Sequence, residues 1–326
     1  MTTSAPPRPT KDPRLAALRR FALSITVFNL VGYAFLGFEQ PWTWPIVAVA
    51  TAYATELLLE VAAARAEDRP PRFRGEGARG LMDFLLPAHI SGVAVNMLLY
   101  VNDQVLVMMF GVVAAISGKW LLKAPVRGRI RHFMNPSNLG ITVVLLLFPW
   151  VSVAPPYHFT ENVSGVVDWL IPAVILVTGT MLNAKLTRRS WLIIGWVGMF
   201  VVQAVLRGVL LDTSIPAALA TMTGVAFILF TNYMITDPGT TPTAPASQLA
   251  FGASVAVVYG ILTAVSVVYG LFFATATVCL LRGGFLWALH LIQQAQQRRE
   301  TTPAQRAAPV SPAVVAPAPE PEVVRA

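Results

Sequence analysis

Charged residues are scarce in this sequence, at 12% of 326 residues, whereas hydrophobic residues make up 55%. A soluble domain usually has about 25% charged residues. The apolar residues also come in blocks that are long enough to cross a bilayer. The scarcity of charge therefore excludes an ordinary soluble domain and predicts a helical membrane protein with many spans, in contact with membrane lipid.

Cysteine is almost absent, because Cys279 is the only one in the chain. A single cysteine excludes an intrachain disulfide, and it excludes a multi-cysteine zinc or iron–sulfur site supplied by this chain alone. Ser-His-Asp, Walker and H-E-x-x-H patterns are also missing, so nothing supports a hydrolase. We expect no metal site and no self-contained catalytic motif.

The apolar blocks predict an all-α polytopic membrane protein with about ten transmembrane helices. The ten predicted spans are 21–38, 44–63, 81–100, 105–122, 138–153, 167–183, 190–207, 215–235, 248–265 and 268–288. Several of these blocks are short, so tilted or re-entrant segments are included in the prediction.

Lysine and arginine alternate between the connections of this ten-span arrangement. Connections on one side carry Arg65, Arg69, Arg72, Arg74, Arg79, Lys123, Arg127, Arg129, Arg131, Lys185, Arg188 and Arg189. Those on the other side, around 39–43, 101–104, 154–166 and 208–214, have none. The positive-inside rule then places both termini in the cytoplasm. The net charge of +8 is explained by this pattern, and we predict no nucleic-acid partner.

Both ends of the chain are rich in proline and alanine. We predict a disordered cytoplasmic N-terminus at 1–20, a transmembrane domain at 21–290 and a disordered cytoplasmic tail at 291–326.

Two segments interrupt the apolar pattern about one hundred residues apart, "HFMNPSNLG" at 132–140 and "NYMITDPGTTPT" at 232–243. Proline ends a helix and biases the preceding Asn or Asp away from helical geometry. Ser137, Asn138, Thr240 and Thr241 are then placed to cap the helices that follow. Exposed N–H groups at such helix starts attract an anion. The segments predict either a binding site built from two broken helices or two well-capped turns at the membrane surface.

The residues of these segments resemble those of a known family. "TNYMITDPGTTPT" followed by "QLAFG" is similar to the "ATDP-x-T-x-P" and "FG" segment of the NqrB and RnfD membrane electron-transport subunits. "NPSNLG" is similar to their "NP-x-x-x-G" segment. The body of the chain, with "LLPAHI", "APPYHFTENVSG" and "VTGTMLNAKLT", resembles more closely the UnbU-type membrane proteins of enediyne biosynthesis.

The resemblance implies two inverted five-helix repeats in a bacterial plasma membrane protein. It also implies flavin or quinone chemistry, antibiotic biosynthesis, and other redox or enediyne pathway proteins as partners. One residue departs from the family. Its flavin-carrying threonine is replaced by Val167 in "SGVV", and valine has no hydroxyl for a phosphoester. We therefore expect noncovalent FMN, riboflavin or quinone and no covalent flavin.

The leading hypothesis is an electron-transfer subunit that holds this ligand at the two interruptions. The predicted cofactor-binding residues are Asn135, Asn138, Asp237, Thr240 and Thr241, with Lys119 facing a bound anion. A transporter or channel for a pathway intermediate, product or ion is one alternative. A membrane scaffold for pathway enzymes is another.

Polar residues inside the spans have a structural explanation as well as a functional one. Glu56 and Glu60 lie four residues apart on one helix face, and reaching water or pairing with Arg65 accounts for them. His89 and Asn96 share a face of the third span, where hydrogen bonds between helices are expected.

Overall fold

The computed structural model describes residues 13–75, 77–126, 128–155 and 159–307, with side chains described between Leu15 and Gln297. Most of these residues are helical. The apolar blocks form the helices, because a helix satisfies its own backbone hydrogen bonds in a medium that cannot do so.

The described residues of the first half of the chain form five helices. They are α1 (Pro13–Val31), α2 (Trp44–Ala66), α3 (Gly77–Leu98), α4 (Val105–Leu121) and α5 (Pro136–Leu147). A π-helical turn, Gly32–Leu36, extends α1 and ends at Gly37 in the left-handed conformation.

In the second half, the part that the structure describes forms six helices. They are α6 (Val166–Met181), α7 (Ser190–Leu211), α8 (Ile215–Ala220), α9 (Val225–Leu229), α10 (Pro245–Ala264) and α11 (Gly270–Ala307). π-Helical turns extend α6 over Leu182–Thr187 and α9 over Phe230–Met234, and a 3₁₀ turn, Thr221–Thr223, extends α8.

Seven helices of the described chain are long and apolar enough to cross a membrane, or up to eight if the bent α8–α9 pair forms one span. That pair bends by 64° between Thr223 and Val225. α4 and α5 are apolar but shorter, at 17 and 12 residues. The chain therefore has the helices of a multi-pass membrane protein. The count of ten spans and the inverted repeat stay predictions.

Two short antiparallel ribbons were not predicted from the sequence. β1 (Leu99–Tyr100) pairs with β4 (Ser152–Val153) at one end of the helices. β2 (Lys123–Val126) pairs with β3 (Arg129–His132), with Lys123 opposite His132. The second ribbon leads directly into the first interruption.

Close helix packing depends on small residues. A Cβ atom added at Gly252 of α10 would lie 2.2 Å from the backbone oxygen of Leu192 in α7, and one at Gly195 would lie 2.3 Å from that of Leu249. A Cβ atom at Gly140 of α5 would lie 2.3 Å from the backbone oxygen of Gly111 in α4. These glycines let the backbones approach, as is common between membrane helices.

Helix boundaries differ from the predicted spans at both ends of the chain. α1 begins at Pro13, eight residues before the predicted span, and α11 continues to Ala307, well past predicted residue 288. The predicted disorder of 1–12 and 308–326 lies outside the described residues.

Candidate functional site

The first interruption is a capped helix start inside the protein. Asn135 is the N-cap of α5, and its Oδ1 accepts hydrogen bonds from the Asn138 backbone N–H at 3.0 Å and the Ser137 hydroxyl at 2.9 Å. Asn135 and Asn138 are 6% and 1% exposed. The prediction that Ser137 and Asn138 would be the capping side chains is wrong. Asn135 caps the helix because the proline at N1 holds Asn135 in the extended conformation.

The second interruption is a compact turn closed by Asp237. Its carboxylate accepts hydrogen bonds from the Gly239 N–H at 3.1 Å and the Thr240 hydroxyl at 2.9 Å. The Thr241 hydroxyl donates to the Asp237 carbonyl at 2.6 Å. The prediction that Thr240 and Thr241 cap the next helix is wrong, because α10 begins only at Pro245.

The two interruptions meet in the folded chain. Asn135 Nδ2 donates to the carbonyl of Met234 at 3.0 Å, and Asn138 Nδ2 donates to the carbonyl of Phe272 at 3.1 Å. Arg189 reaches the same place, donating to Thr241 Oγ1 at 2.8 Å and to the Pro238 carbonyl at 3.2 Å. The Asn135–Met234 hydrogen bond thus joins the two interruptions directly, and Arg189 is anchored on the second one.

A cavity of about 1290 Å³ lies beside this junction. Asn135, Asp237 and Lys119 line it, together with side chains of α1, α3, α9 and the β2–β3 ribbon. Asn138, Thr240 and Thr241 are buried behind the lining, at 1%, 2% and 6% exposed. Of the six predicted residues, three can therefore touch a ligand in the cavity and three support the wall.

Lys119 forms an ion pair with Glu56 inside the protein. Its Nζ lies 2.6 Å from Glu56 Oε2, and the two side chains are only 15% and 4% exposed. Lys119 also lines the cavity, but a bound anion would have to share it with Glu56.

Arg65 was the expected partner of Glu56 and Glu60, but other basic residues pair with them in the structure. Glu60 is completely buried and pairs with Arg69 at 2.5 Å and Arg72 at 2.9 Å. The loop after α2 folds back over the helix end and brings these arginines to the carboxylate. Buried charges in a membrane protein need such compensation.

His132 is a cavity-lining residue for which the sequence predicted no role. It ends β3, three residues before Asn135, and Gly239 of the second interruption packs against its ring. Burial lowers the pKa of His132, and the Asp237 carboxylate acts in the opposite direction. The sequence signal that pointed to a role for His132 was its position just before the Asn-Pro break.

The sequence analysis also assigned no role in a site to most basic side chains, because the membrane topology already explained their positions. Those that line the cavity, besides Lys119, are Arg72, Lys123, Arg131, Arg188 and Arg189. Arg72 and Lys123 lie 5.2 Å and 4.9 Å from the ring centre of Trp120, in cation–π geometry. Glu56 and Asp237 are the acidic residues of the lining.

His89 and Asn96 form hydrogen bonds between helices, as expected. His89 lies between Thr26 Oγ1, at 2.7 Å, and the Tyr53 hydroxyl, at 3.0 Å. Asn96 Nδ2 donates to the Tyr33 hydroxyl at 3.4 Å. Val167 lies in the first turn of α6, is 46% exposed and is not part of the cavity lining.

No protein-family model matches the sequence, and no curated protein matches it either. The resemblance to the NqrB, RnfD and UnbU-type proteins therefore stays a prediction. The geometry of the cavity and its wall is the main support for a functional assignment.

Proposed function

We propose that this protein is an integral membrane redox subunit that binds a flavin- or quinone-like ligand noncovalently in the cavity. The observation that carries the proposal is the meeting of the two interruptions, joined by the Asn135–Met234 hydrogen bond, at the wall of one large cavity. Irregular backbone inside a membrane protein occurs where protein buries it or where it lines a cavity. Here it does both.

The composition of the cavity wall suits a planar ligand with polar edges. Phe21, Phe84, Trp120, Phe230 and Tyr233 are among its aromatic lining residues. Ligand sites combine such apolar and aromatic walls with a few polar groups that orient the ligand. Asn135, His132 and the neighbouring cations provide these groups for a carbonyl or phosphate oxygen.

The first experiment is a visible absorption spectrum of the chain purified in mild detergent. Denaturation should release flavin to the supernatant, or solvent extraction should release a quinone, at about one per chain. Protein that is colourless and quinone-free, and remains so after either ligand is added, would contradict the redox proposal. Flavin that stays on the denatured protein would contradict noncovalent binding.

A pair of lysine variants locates the ligand. Lys123 lines the cavity, whereas Lys185 is exposed on the π-helical turn after α6 and is not part of the lining. We expect Lys123→Gln to lower ligand occupancy several-fold and Lys185→Gln to leave it unchanged. Equal occupancy in both variants would place the ligand elsewhere.

Transport is the second candidate function, favoured by the 64° bend between α8 and α9. Discontinuous helices near the middle of the membrane form the substrate sites of many secondary transporters. Ligand-dependent flux in liposomes, abolished by filling the cavity, would support it. A protein that binds a redox ligand and produces no flux would exclude transport of that ligand.

The place of the protein in enediyne biosynthesis, with other pathway or redox proteins as partners, is a proposal supported by the sequence resemblance. Deleting the gene from an enediyne-producing strain should stop production, and the intact gene should restore it. Unchanged production would contradict the pathway assignment and leave the ligand proposal standing.

A further inference from the structure

The cavity follows α3 for most of the length of the helix. Its α3 lining residues are Phe84, Pro87, Ile90, Ser91, Ala94, Met97 and Leu98. At 1.5 Å per residue, the distance from Phe84 to Leu98 is about 21 Å. A hydrocarbon core of about 30 Å gives each leaflet about 15 Å, so the cavity is long enough for a chain that spans one leaflet.

The far part of the cavity is lined mainly by buried apolar side chains. Ala94, Met97 and Phe159 line it and are 7%, 6% and 3% exposed. Ile25 of α1 and Leu229 of α9 line the same part. We call this part, between Ile90 and Leu98 of α3, the apolar arm. None of the described residues that line it is charged.

The charged lining residues all lie at the opposite end, which we call the basic end. Among the described residues, six lysines and arginines line it against the carboxylates of Glu56 and Asp237, which is an excess of four positive charges. The six are Arg72, Lys119, Lys123, Arg131, Arg188 and Arg189. The cavity therefore has one cationic end and one hydrocarbon-like end.

Part of this positive charge has no carboxylate partner. Lys119 pairs with Glu56, and Arg72 pairs with Glu60. Within the described part of the chain, Arg131 and Arg188 have no carboxylate at ion-pair distance. The basic end thus has cations left for an anionic group, whose charge-assisted hydrogen bonds would be strong.

We propose that the cavity binds a single-chain amphiphile, with a carboxylate or phosphate head at the basic end and a hydrocarbon chain in the apolar arm along α3. The length of the cavity along α3, about 21 Å, distinguishes this ligand from an isoalloxazine ring alone, and the basic end distinguishes it from a neutral hydrocarbon. This ligand differs from the proposed redox ligand, and the two would compete for the same cavity.

Photolabelling of the full chain in mild detergent tests the position of the hydrocarbon chain. The probe is hexadecanoate with a diazirine near the end of its chain. We expect labelled residues on α3 between Ile90 and Leu98 and beside Phe159. Labels confined to outward side chains such as Leu23 and Val27, which are 66% and 49% exposed, would show annular binding only and overturn the proposal.

Matched variants test the two ends separately. Ala94→Trp fills the apolar arm and should abolish the interior label, whereas Ala54→Trp, on an exposed position of α2, should not. Arg131→Gln combined with Arg188→Gln should weaken labelling by about tenfold or more, because charge-assisted hydrogen bonds are lost. Arg20→Gln, at an exposed position outside the lining, is the charge control.

Hexadecanol with the same diazirine tests the need for an anionic head. Interior labelling by the alcohol as strong as by the acid would overturn the proposed role of the basic end. The same preparation is assayed for flavin and quinone. Interior labelling of a protein that contains no flavin or quinone would support the amphiphile and contradict the redox proposal. A flavin-loaded protein without interior label would support the redox proposal and contradict the amphiphile.

Discussion

Glu56 and Lys119 form an ion pair of 2.6 Å whose side chains are almost fully buried. Removing two charges from water is unfavourable, and their attraction offsets this only while both are present. The pair is therefore a weak source of stability but a strong constraint on position. It holds the end of α4 against the middle of α2, and both residues line the basic end of the cavity.

We predict that breaking this pair is worse than removing it. Glu56→Met and Lys119→Met each leave a buried charge alone, which costs about 3–5 kcal/mol of folding free energy. The double variant should be less destabilised than the sum of the single variants. Thermal unfolding in detergent, as a double-mutant cycle, measures the difference.

The ion pair of Arg19 with Asp83 is the control, because its side chains are 55% and 22% exposed. The corresponding methionine variants should change the midpoint little, since solvent screens exposed pairs. Additive losses at Glu56 and Lys119 would show that the two side chains do not interact.

His132 predicts how stability depends on pH. Burial lowers its pKa in the folded protein, so the folded state binds fewer protons than the unfolded state between the two pKa values. The free energy of unfolding is therefore highest above the ordinary histidine pKa of about 6.5 and falls as the pH drops below that value. We expect the unfolding midpoint to decrease from pH 7.5 to pH 5.

Replacement of His132 by Gln should flatten this pH dependence. His290, which is partly exposed on α11 and hydrogen-bonded to Gln294, is the control, and its Gln variant should keep the wild-type profile. An unchanged slope in His132→Gln would assign the pH dependence to another group.

At the scale of the elements, α7 and α10 form a close pair that depends on glycine. Gly252 leaves no room for a Cβ atom, because the backbone of Leu192 would be 2.2 Å away, whereas Gly198 of α7 has nothing within 4 Å. The helices were predictable from the length of the apolar blocks. Which glycine faces a partner was not, because both stand in similar apolar surroundings in the sequence.

Gly252→Ala should lower the thermal stability clearly, since the two backbones must move apart and lose van der Waals contacts. Gly198→Ala should be neutral or slightly stabilising, because alanine is the better helix former. Thermal unfolding of the two variants measures this. Equal midpoints would mean that α7 and α10 pack less closely than described.

The interruptions show how far local sequence can specify a site. Asn-Pro and Asp-Pro correctly marked two breaks, because proline disfavours helical geometry at the residue before it. The capping residues were misassigned, because several neighbouring polar side chains are able to bond to the same backbone N–H groups. Arg189, His132 and the other cations of the wall were missed because the positive-inside rule already accounted for them.

At the scale of the whole molecule, the positive charges predict cytoplasmic ends for the chain. Cys279 is 1% exposed, so replacing it with Ala gives a clean background for single-cysteine labelling. Asp103→Cys should react with a membrane-impermeant maleimide on intact cells. Arg74→Cys should react only after permeabilisation, because it lies in an arginine-rich connection. The opposite pattern would invert the predicted topology.

The sequence by itself determined the class of protein, the apolar helices, the predicted sidedness and the location of two breaks. These depend on local properties, namely hydrophobic length, loop charge and the chemistry of proline. Only the tertiary structure decided the cavity and the partners of its polar residues. Asn138 meets Phe272 across 134 residues, and Trp287 meets Lys123 across 164. Such partners are chosen by how the helices pack, because a buried polar group bonds to whichever group the fold brings within reach.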